Sequence, residues 1–198
     1  MRRVVLIGLA LLALVAEGCS STVLRDSWRD PQFAEPPLRN VLVIGVARSP
    51  SNRRVFEDGF AQALRAQGVA ATASYTLLPE EGAIGNERIK QAVAQTGADA
   101  VMITRVLRVQ RNVQVTPGYV VPGYAMGYYG WYTTAYTTVP PSIDQYEVIT
   151  IESAFWSMRP ERMVWSGTSE STDVKDVTTL TRELAAVLIA KMKEDKIL

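Results

Sequence analysis

The chain contains no histidine and a single cysteine among its 198 residues. Without histidine, neither a Ser-His-Asp nor a Cys-His nucleophile pair can form, and this chain alone offers no imidazole ligand for zinc or iron. One cysteine cannot form an internal disulfide, so the fold must depend on its hydrophobic core. These absences favour a protein that is not an enzyme and that holds no metal and no cofactor.

An excess of charge of one sign is also missing. The chain has 21 basic and 20 acidic residues, which gives a formal net charge of +1. A protein that binds nucleic acid relies on an excess of basic side chains to neutralise phosphates, so we expect no nucleic-acid partner. The length fits one domain, alone or with a tail.

The N-terminus has the layout of a signal peptide. Two arginines are followed by an unbroken apolar run from Val4 to Ala16 and then by Gly18-Cys19. A helix that crosses a bilayer needs about 20 apolar residues, so this run is too short to span but suits a signal peptide. The alternatives at Cys19 are lipidation, or a free thiol in a chain whose signal peptide is cleaved elsewhere.

This N-terminus resembles the signal of bacterial lipoproteins, in which a small residue precedes the lipidated cysteine. Gly18 and Cys19 match the pattern, whereas Ala16 and Glu17 stand where the family usually has leucine and a small residue. The resemblance implies cleavage after Gly18 and attachment of acyl chains such as palmitate to Cys19. Ser20 after the cysteine resembles lipoproteins sorted to the outer membrane, which implies a domain that faces the periplasm.

These features divide the chain into three parts. Residues 1–18 are the predicted signal peptide, residues 19–40 the lipidated N-terminus and a proline-containing tether, and residues 41–198 a single domain. Removing residues 1–18 deletes two arginines and one glutamate and leaves basic and acidic residues equal in number. Lipid, and not charge, would therefore hold the domain at the membrane.

Strands and helices alternate along the predicted domain. An α/β fold with a mixed sheet follows, in the order β-α-β-α-β-(long loop)-β-β-α, with helices packed on the sheet. The predicted elements are a strand at 41–47, a helix capped near Ser49, a strand at 69–77, a helix capped by Asn86, a strand from 98 to 115, a hairpin of 145–158 and 162–169, and a helix from Asp176.

Short phrases in this domain resemble periplasmic envelope domains. The phrases are VLVIGVA, TGADAVMITRV and MVWSGTSES. The resemblance covers about residues 40–196 and points to the N-terminal domain of the Tol-system propeller protein, the curli-secretion lipoprotein and the lipoprotein that activates penicillin-binding proteins. It contains no catalytic motif, so it implies a fold, and function must be argued from a site.

The segment 117–142 combines aromatic residues and glycine with a complete lack of Asp, Glu, Lys and Arg. Aromatic side chains on a glycine-rich loop suit a recognition surface for an envelope protein, a saccharide chain or membrane headgroups. A low-complexity hairpin extension that only solvates itself is the equal alternative. The candidate partner-binding residues are Tyr119, Tyr124, Tyr128, Tyr129, Trp131, Tyr132 and Tyr136.

Other candidate sites are weaker. The arginine-rich turn at 48–54 lacks the glycine pattern of a phosphate loop, which favours a capped surface helix with solvated arginines. Carboxylates such as Glu57 and Asp58 are expected at the surface, and Glu147 and Glu152 should face opposite sides of one strand. If the predicted hairpin pairs around 160–161, the two tryptophans at 156 and 165 would be neighbours.

The sequence therefore predicts a lipid-anchored envelope protein that acts as a non-catalytic adaptor or regulator of an envelope or cell-wall assembly. One alternative is a structural subunit that oligomerises at the outer membrane, as the curli-secretion lipoprotein does. A cell-wall hydrolase that uses carboxylates is the least favoured alternative. The oligomeric state stays open.

Overall fold

A computed structural model describes residues 21–34, 36–78, 85–120 and 138–198. Within these ranges the chain forms eight strands, three α-helices and one short 3-10 turn, Ser74–Thr76. The elements are β1 (Thr22–Arg29), β2 (Asn40–Val46), α1 (Pro50–Arg65), β3 (Ala70–Ala73), α2 (Asn86–Thr96), β4 (Ala100–Thr116), β5 (Tyr119–Val120), β6 (Thr138–Val139), β7 (Ser142–Met158), β8 (Glu161–Thr172) and α3 (Val177–Glu194).

Six of the strands form one mixed sheet in the order β1-β8-β7-β4-β2-β3. β2 runs parallel to β3 and β4, whereas the β4–β7, β7–β8 and β8–β1 pairs are antiparallel. The parallel part is covered on both faces, which explains the continuous apolar run of β2. The predicted α/β fold with a mixed sheet is confirmed.

Local signals explain two of the three helix starts. The Ser49 hydroxyl accepts a hydrogen bond from the Asn52 amide at 3.4 Å, with Pro50 in the first turn of α1. Asp176 accepts one from the Thr179 amide at 2.8 Å and caps α3. The prediction that Asn86 caps α2 is wrong, because Asn86 is already the first helical residue and the cap position lacks a side-chain hydrogen bond.

The sheet separates two hydrophobic cores. The larger core lies between the sheet and the helices α1 and α3, and it contains Phe60, Met102, Phe155, Trp165 and Leu188. The smaller core lies on the other face and joins β2 and β4 to α2 through residues that include Leu42, Val101 and Ala92. Helices therefore hold β2 and β4 from both sides.

The predicted tether at 19–40 is wrong for its described part, because residues 22–29 form β1 at the edge of the sheet. β1 pairs antiparallel with β8 from Thr22, opposite Ser171, to Arg29, opposite Trp165. Phe33 and Leu38, farther along, are buried in the larger core. The pairing supplies hydrogen-bond partners to an otherwise open edge of β8, a gain that the polar sequence of this stretch did not reveal.

Candidate interaction surface

Two strands continue past the end of the sheet as an isolated ribbon. β4 pairs with β7 over its whole length, from Ala100 opposite Ser157 to Thr116 opposite Ser142. β2 accompanies β4 only as far as Arg105, and β8 accompanies β7 only as far as Val148. We call residues 109–116 and 142–149 the ribbon; at about 3.3 Å per residue it is about 23 Å long.

One face of the ribbon is apolar and exposed. It carries Val109, Val113 and Val115 from β4 and Ile143 and Ile149 from β7, with Val109 opposite Ile149 and Val115 opposite Ile143. Val109, Val113, Val115 and Ile143 are 53%, 60%, 59% and 65% exposed. Contiguous apolar side chains on a surface mark an interaction site. We call these five residues the ribbon apolar face.

The opposite face of the ribbon is mainly polar. The β4 residues Gln110, Asn112, Gln114 and Thr116 point to this side, and Thr116 lies opposite Ser142. This alternation follows from the period of two in a strand. The pattern VQRNVQV carries the signal, but it cannot distinguish an exposed apolar face from a buried one, so sequence reasoning missed the surface.

The ribbon apolar face continues into a cavity at the base of the ribbon. The cavity has a volume of about 220 Å³, and its lining includes Phe56, Val109, Ile149, Leu180 and Leu184. Phe56 belongs to α1, and the two leucines belong to the first half of α3. The apolar face therefore lies on the same side of the sheet as α1 and α3.

The described chain enters the sheet beside the base of the ribbon. The Glu183 carboxylate of α3 accepts hydrogen bonds from the amide and the hydroxyl of Ser21 at 3.1 and 2.8 Å and from the Thr22 hydroxyl at 2.9 Å. The Thr22 and Ser171 hydroxyls bond at 2.8 Å. These contacts fix where the chain that follows Cys19 joins the domain.

The sheet register relates that entry point to the ribbon. Thr22 lies opposite Ser171, Ser171 opposite Ile149, and Ile149 opposite Val109. These four residues form one row across β1, β8, β7 and β4. The row is also the first row of the ribbon, so the N-terminal segment and the ribbon leave the sheet at the same end.

The turn after β2 contains a buried polar network. Glu57 accepts hydrogen bonds from the Gly45 amide at 2.9 Å, Arg53 Nε at 2.8 Å, the Ser74 hydroxyl at 2.8 Å and the Tyr75 amide at 2.7 Å. Glu57 is 0% exposed and Arg53 is 4% exposed. The prediction of a surface carboxylate and a solvated arginine is therefore wrong. The carboxylate clamps β2, α1 and the 3-10 turn together, which is a structural role.

Asp58, the neighbour of Glu57, is exposed as predicted. Its two carboxylate oxygens each lie 3.0 Å from the Tyr75 hydroxyl. This hydrogen bond raises the pKa of Tyr75 above its ordinary value of 10.0. The Arg54 guanidinium lies 5.7 Å from the centre of the same ring. The group is a surface contact between α1 and the turn after β3.

The carboxylates of β7 do not converge on a reaction centre. Glu147 lies 3.5 Å from Arg111 on the ribbon apolar face, and Glu152 lies 2.6 Å from Arg105 on the other face. The prediction that these two glutamates face opposite sides is confirmed. Among the described residues, no group of three or more His, Cys, Asp or Glu side chains could hold a metal ion.

The tryptophans at 156 and 165 are not neighbours, contrary to the prediction. Trp165 is fully buried, packs edge-on against Phe155 with 6.1 Å between ring centres, and donates a hydrogen bond to Asp195 at 2.9 Å. A Cβ on Gly167 would lie 2.5 Å from Trp165, so this position requires glycine. Trp156 follows Phe155 in β7, so it points to the other face, where it is 37% exposed.

Most of the predicted site residues lie outside the described ranges. Cys19 is one of them, and Tyr119 lies in β5, whose pairing with β6 extends the two-stranded structure past the ribbon. The others outside the ranges are Tyr124, Tyr128, Tyr129, Trp131, Tyr132 and Tyr136. Lipidation and partner binding at these positions stay predictions. Among the described residues, no helix has the length and apolar character to cross a membrane.

Comparison with known proteins gives matches of overall fold only. No protein-family model and no curated protein matches the chain. Two crystal forms of the PelC dodecamer from Paraburkholderia phytofirmans align with TM-scores of 0.46 and 0.44 and identities of 16% and 17%, over 84% of this chain and 95% of theirs. A PDZ domain protein from Parabacteroides distasonis aligns with a TM-score of 0.35 and 9% identity, over 87% of this chain and 36% of that protein.

Proposed function

We propose that this chain is a lipid-anchored, non-catalytic envelope protein that acts as an adaptor or regulator of an envelope or cell-wall assembly. Acyl chains on Cys19 hold it at the outer membrane, with the domain on the periplasmic side. The observation that carries the proposal is the ribbon, which presents an exposed apolar face and leads into the uncharged aromatic segment 121–137. A fold that leaves such a surface open favours binding.

The chemistry of the described residues supports binding over catalysis. The one fully buried carboxylate discussed above, Glu57, already accepts four hydrogen bonds within the domain. The exposed glutamates Glu147, Glu152 and Glu170 each lie beside an arginine. A general acid and base must instead reach one substrate bond together.

The edges of the sheet favour an adaptor over a subunit that assembles edge to edge. β3, at one edge, has only four residues. β1, at the other edge, has a bulge at Arg25, whose side chain pairs with Glu170 at 2.7 Å. Short, bulged and charged edge strands resist pairing with another chain.

The anchor is tested by the intact mass of protein extracted from membranes. We expect a chain that begins at an acylated Cys19 and lacks residues 1–18. The full-length Cys19→Ser variant should leave the membrane fraction, because a serine hydroxyl does not replace the thiol in the lipid attachment. An unmodified mass, or unchanged fractionation of the variant, would refute the anchor.

Partner binding is tested by replacing residues 121–137 with a short Gly-Asn turn, which keeps β5 and β6. Crosslinking in cells followed by mass spectrometry should show the loss of an envelope partner that the parent chain captures. The matched control is Asn112→Ser on the polar face of the ribbon, which should capture the same partner as the parent. Identical partners with and without residues 121–137 would contradict the proposal.

A further inference from the structure

We propose that the ribbon apolar face contacts the surface of the phospholipid bilayer and thereby sets the orientation of the domain. The contact involves Val113, Val115 and Ile143 at the outer end of the ribbon. It rests on the proposed function, since acyl chains on Cys19 would hold the domain beside that bilayer. The aromatic segment would then meet its envelope partner at the membrane surface.

The first argument is the position of the chain entry. The row Thr22–Ser171–Ile149–Val109 places the start of β1 level with the base of the ribbon. Cys19 precedes Thr22 by three residues, so it can lie at most about 10 Å beyond this row. The ribbon extends about 23 Å beyond the same row. A bilayer that holds lipid on Cys19 is therefore within reach of the outer half of the ribbon.

The second argument is the chemistry of the outer half. No charged residue occurs between Arg111 and Asp144. The stretch includes Val113, Val115 and Ile143, and its aromatic residues are tyrosine and tryptophan, which favour the membrane–water interface. Apolar side chains on one face and polar groups on the other suit a segment that lies in the interface. The ion pair Arg111–Glu147 marks the end of the ribbon nearer the domain.

A second copy of the chain fits this face less well. Full burial of one valine or isoleucine side chain is worth about 1.5–3 kcal/mol at about 25 cal/mol per Å², which corresponds to about 60–120 Å² each. Five such side chains offer about 300–600 Å². A stable protein interface buries about 800 Å² per partner. A bilayer sets no such threshold for a protein that lipid already tethers.

The shape of the domain makes the contact specific. The apolar face lies on the same side as α1 and α3, and Val109 and Ile149 line the cavity between the ribbon and these helices. The helices therefore keep the base of the ribbon away from a flat surface. The ribbon must approach the bilayer with its outer end, so contact should be strongest at Val115 and Ile143 and weakest at Val109.

An environment-sensitive label on introduced cysteines tests this contact. The full chain is purified in its lipidated form, labelled with a nitrobenzoxadiazole dye and reconstituted into vesicles of phosphatidylethanolamine and phosphatidylglycerol. At Val115→Cys and Ile143→Cys we expect blue-shifted emission and quenching by nitroxide-bearing lipids. Gln114→Cys is the matched control, because it is adjacent to Val115 but points to the polar face, and it should report water. Equal emission at positions 114 and 115 would overturn the proposal.

The intact mass of each labelled sample separates this proposal from the anchor. A lipidated Cys19 with a water-exposed label at position 115 leaves the anchor standing and refutes the bilayer contact. An unmodified Cys19 with a quenched label at position 115 refutes the anchor and supports the contact. A blue shift that appears without vesicles and grows with protein concentration would show that a second copy covers the face, which also refutes the proposal.

Charge substitutions give a second readout. In the Ile143→Cys background, Val115→Asp should reduce the membrane-contacting fraction about tenfold, since the apolar transfer lost is about 1.5 kcal/mol. Gln114→Asp adds the same charge on the polar face and should leave the fraction unchanged. Added salt should not change it either, because the contact is apolar. Equal effects of the two substitutions would show that charge alone is being measured.

Discussion

The two halves of β4 have opposite environments, although one continuous strand forms both. Val101, in the first half, is 3% exposed, whereas Val113, in the second half, is 60% exposed. The first half lies between β2 and β7 with helices on both faces, and the second half has only β7 beside it. The neighbours of a strand, and not its own residues, therefore decide whether its valines form core or surface.

The comparison also separates the roles of the two regions. The sheet and its helices bury apolar side chains and gain stability from them. The ribbon leaves similar side chains in contact with solvent, so they contribute little to folding and are available for binding. We therefore expect substitutions in the body of the domain to change stability, and substitutions on the ribbon to change binding.

The largest loss of stability is expected from Glu57→Ala. Removing one member of a buried ion pair costs about 3–5 kcal/mol, because the remaining charge stays buried without its partner. The substitution also deprives the Gly45 and Tyr75 amides of their acceptor. Urea unfolding measures the change. Asp58→Ala removes the adjacent exposed carboxylate and should change stability little; equal losses for both variants would show that the buried network has no special weight.

A matched pair of substitutions in β4 tests the comparison directly. Val101→Thr places a hydroxyl group in the smaller core, where Leu42 and Ala92 offer no side-chain partner. Burying a hydroxyl without a hydrogen bond costs about 1–3 kcal/mol. The free energy of unfolding should fall by that amount. A neutral result would mean that the smaller core is open to water.

The acid dependence of stability should depend partly on Asp176, which caps α3 beside the ribbon base. Hydrogen bonds from Thr179 lower the pKa of Asp176 below its ordinary value of 3.8. Because the folded-state pKa is depressed, this carboxylate stabilises the domain above the unfolded-state pKa, and the contribution is lost as pH falls through the folded-state pKa.

Unfolding by urea from neutral to acidic pH measures this contribution. The Asp176→Ser variant keeps a good capping side chain but cannot titrate, so it should lose less stability than the parent as the solution is acidified. Parallel curves for the two proteins would assign the acid sensitivity to other groups.

The smallest change in stability is expected from Val113→Thr, the counterpart of Val101→Thr on the ribbon. Threonine keeps the β-branched shape, and the hydroxyl stays in water, so the free energy of unfolding should change by no more than about 0.5 kcal/mol. A loss as large as that of Val101→Thr would show that the ribbon apolar face is covered within the folded chain.

Much of the fold was predictable because local signals agree with it. The apolar run of β2, the Ser49 and Asp176 caps and the turn between β7 and β8 each act over a few residues. β1 was missed because its pairing with β8 joins residues far apart in sequence. The burial of Glu57 was missed for a similar reason, since Ser74 and Tyr75, which complete its hydrogen bonds, lie 17 and 18 positions away.

The candidate surface was only partly predictable. Sequence alone identified the uncharged aromatic segment and extended the third predicted strand to Val115. It did not identify the ribbon apolar face, because alternating valines look the same in a buried and in an exposed strand. The distinction required knowing that β2 and β8 stop before the ribbon begins.

The sequence by itself determined the classes of chemistry available, since a chain without histidine and with one cysteine lacks most nucleophilic and metal-binding devices. It also determined the order of strands and helices, because caps, turns and apolar periodicity act locally. Only the tertiary structure decided which apolar side chains stay exposed and placed the chain entry at Thr22 level with the ribbon base. Both depend on where neighbouring strands end, and a strand end is fixed by packing between residues distant in sequence.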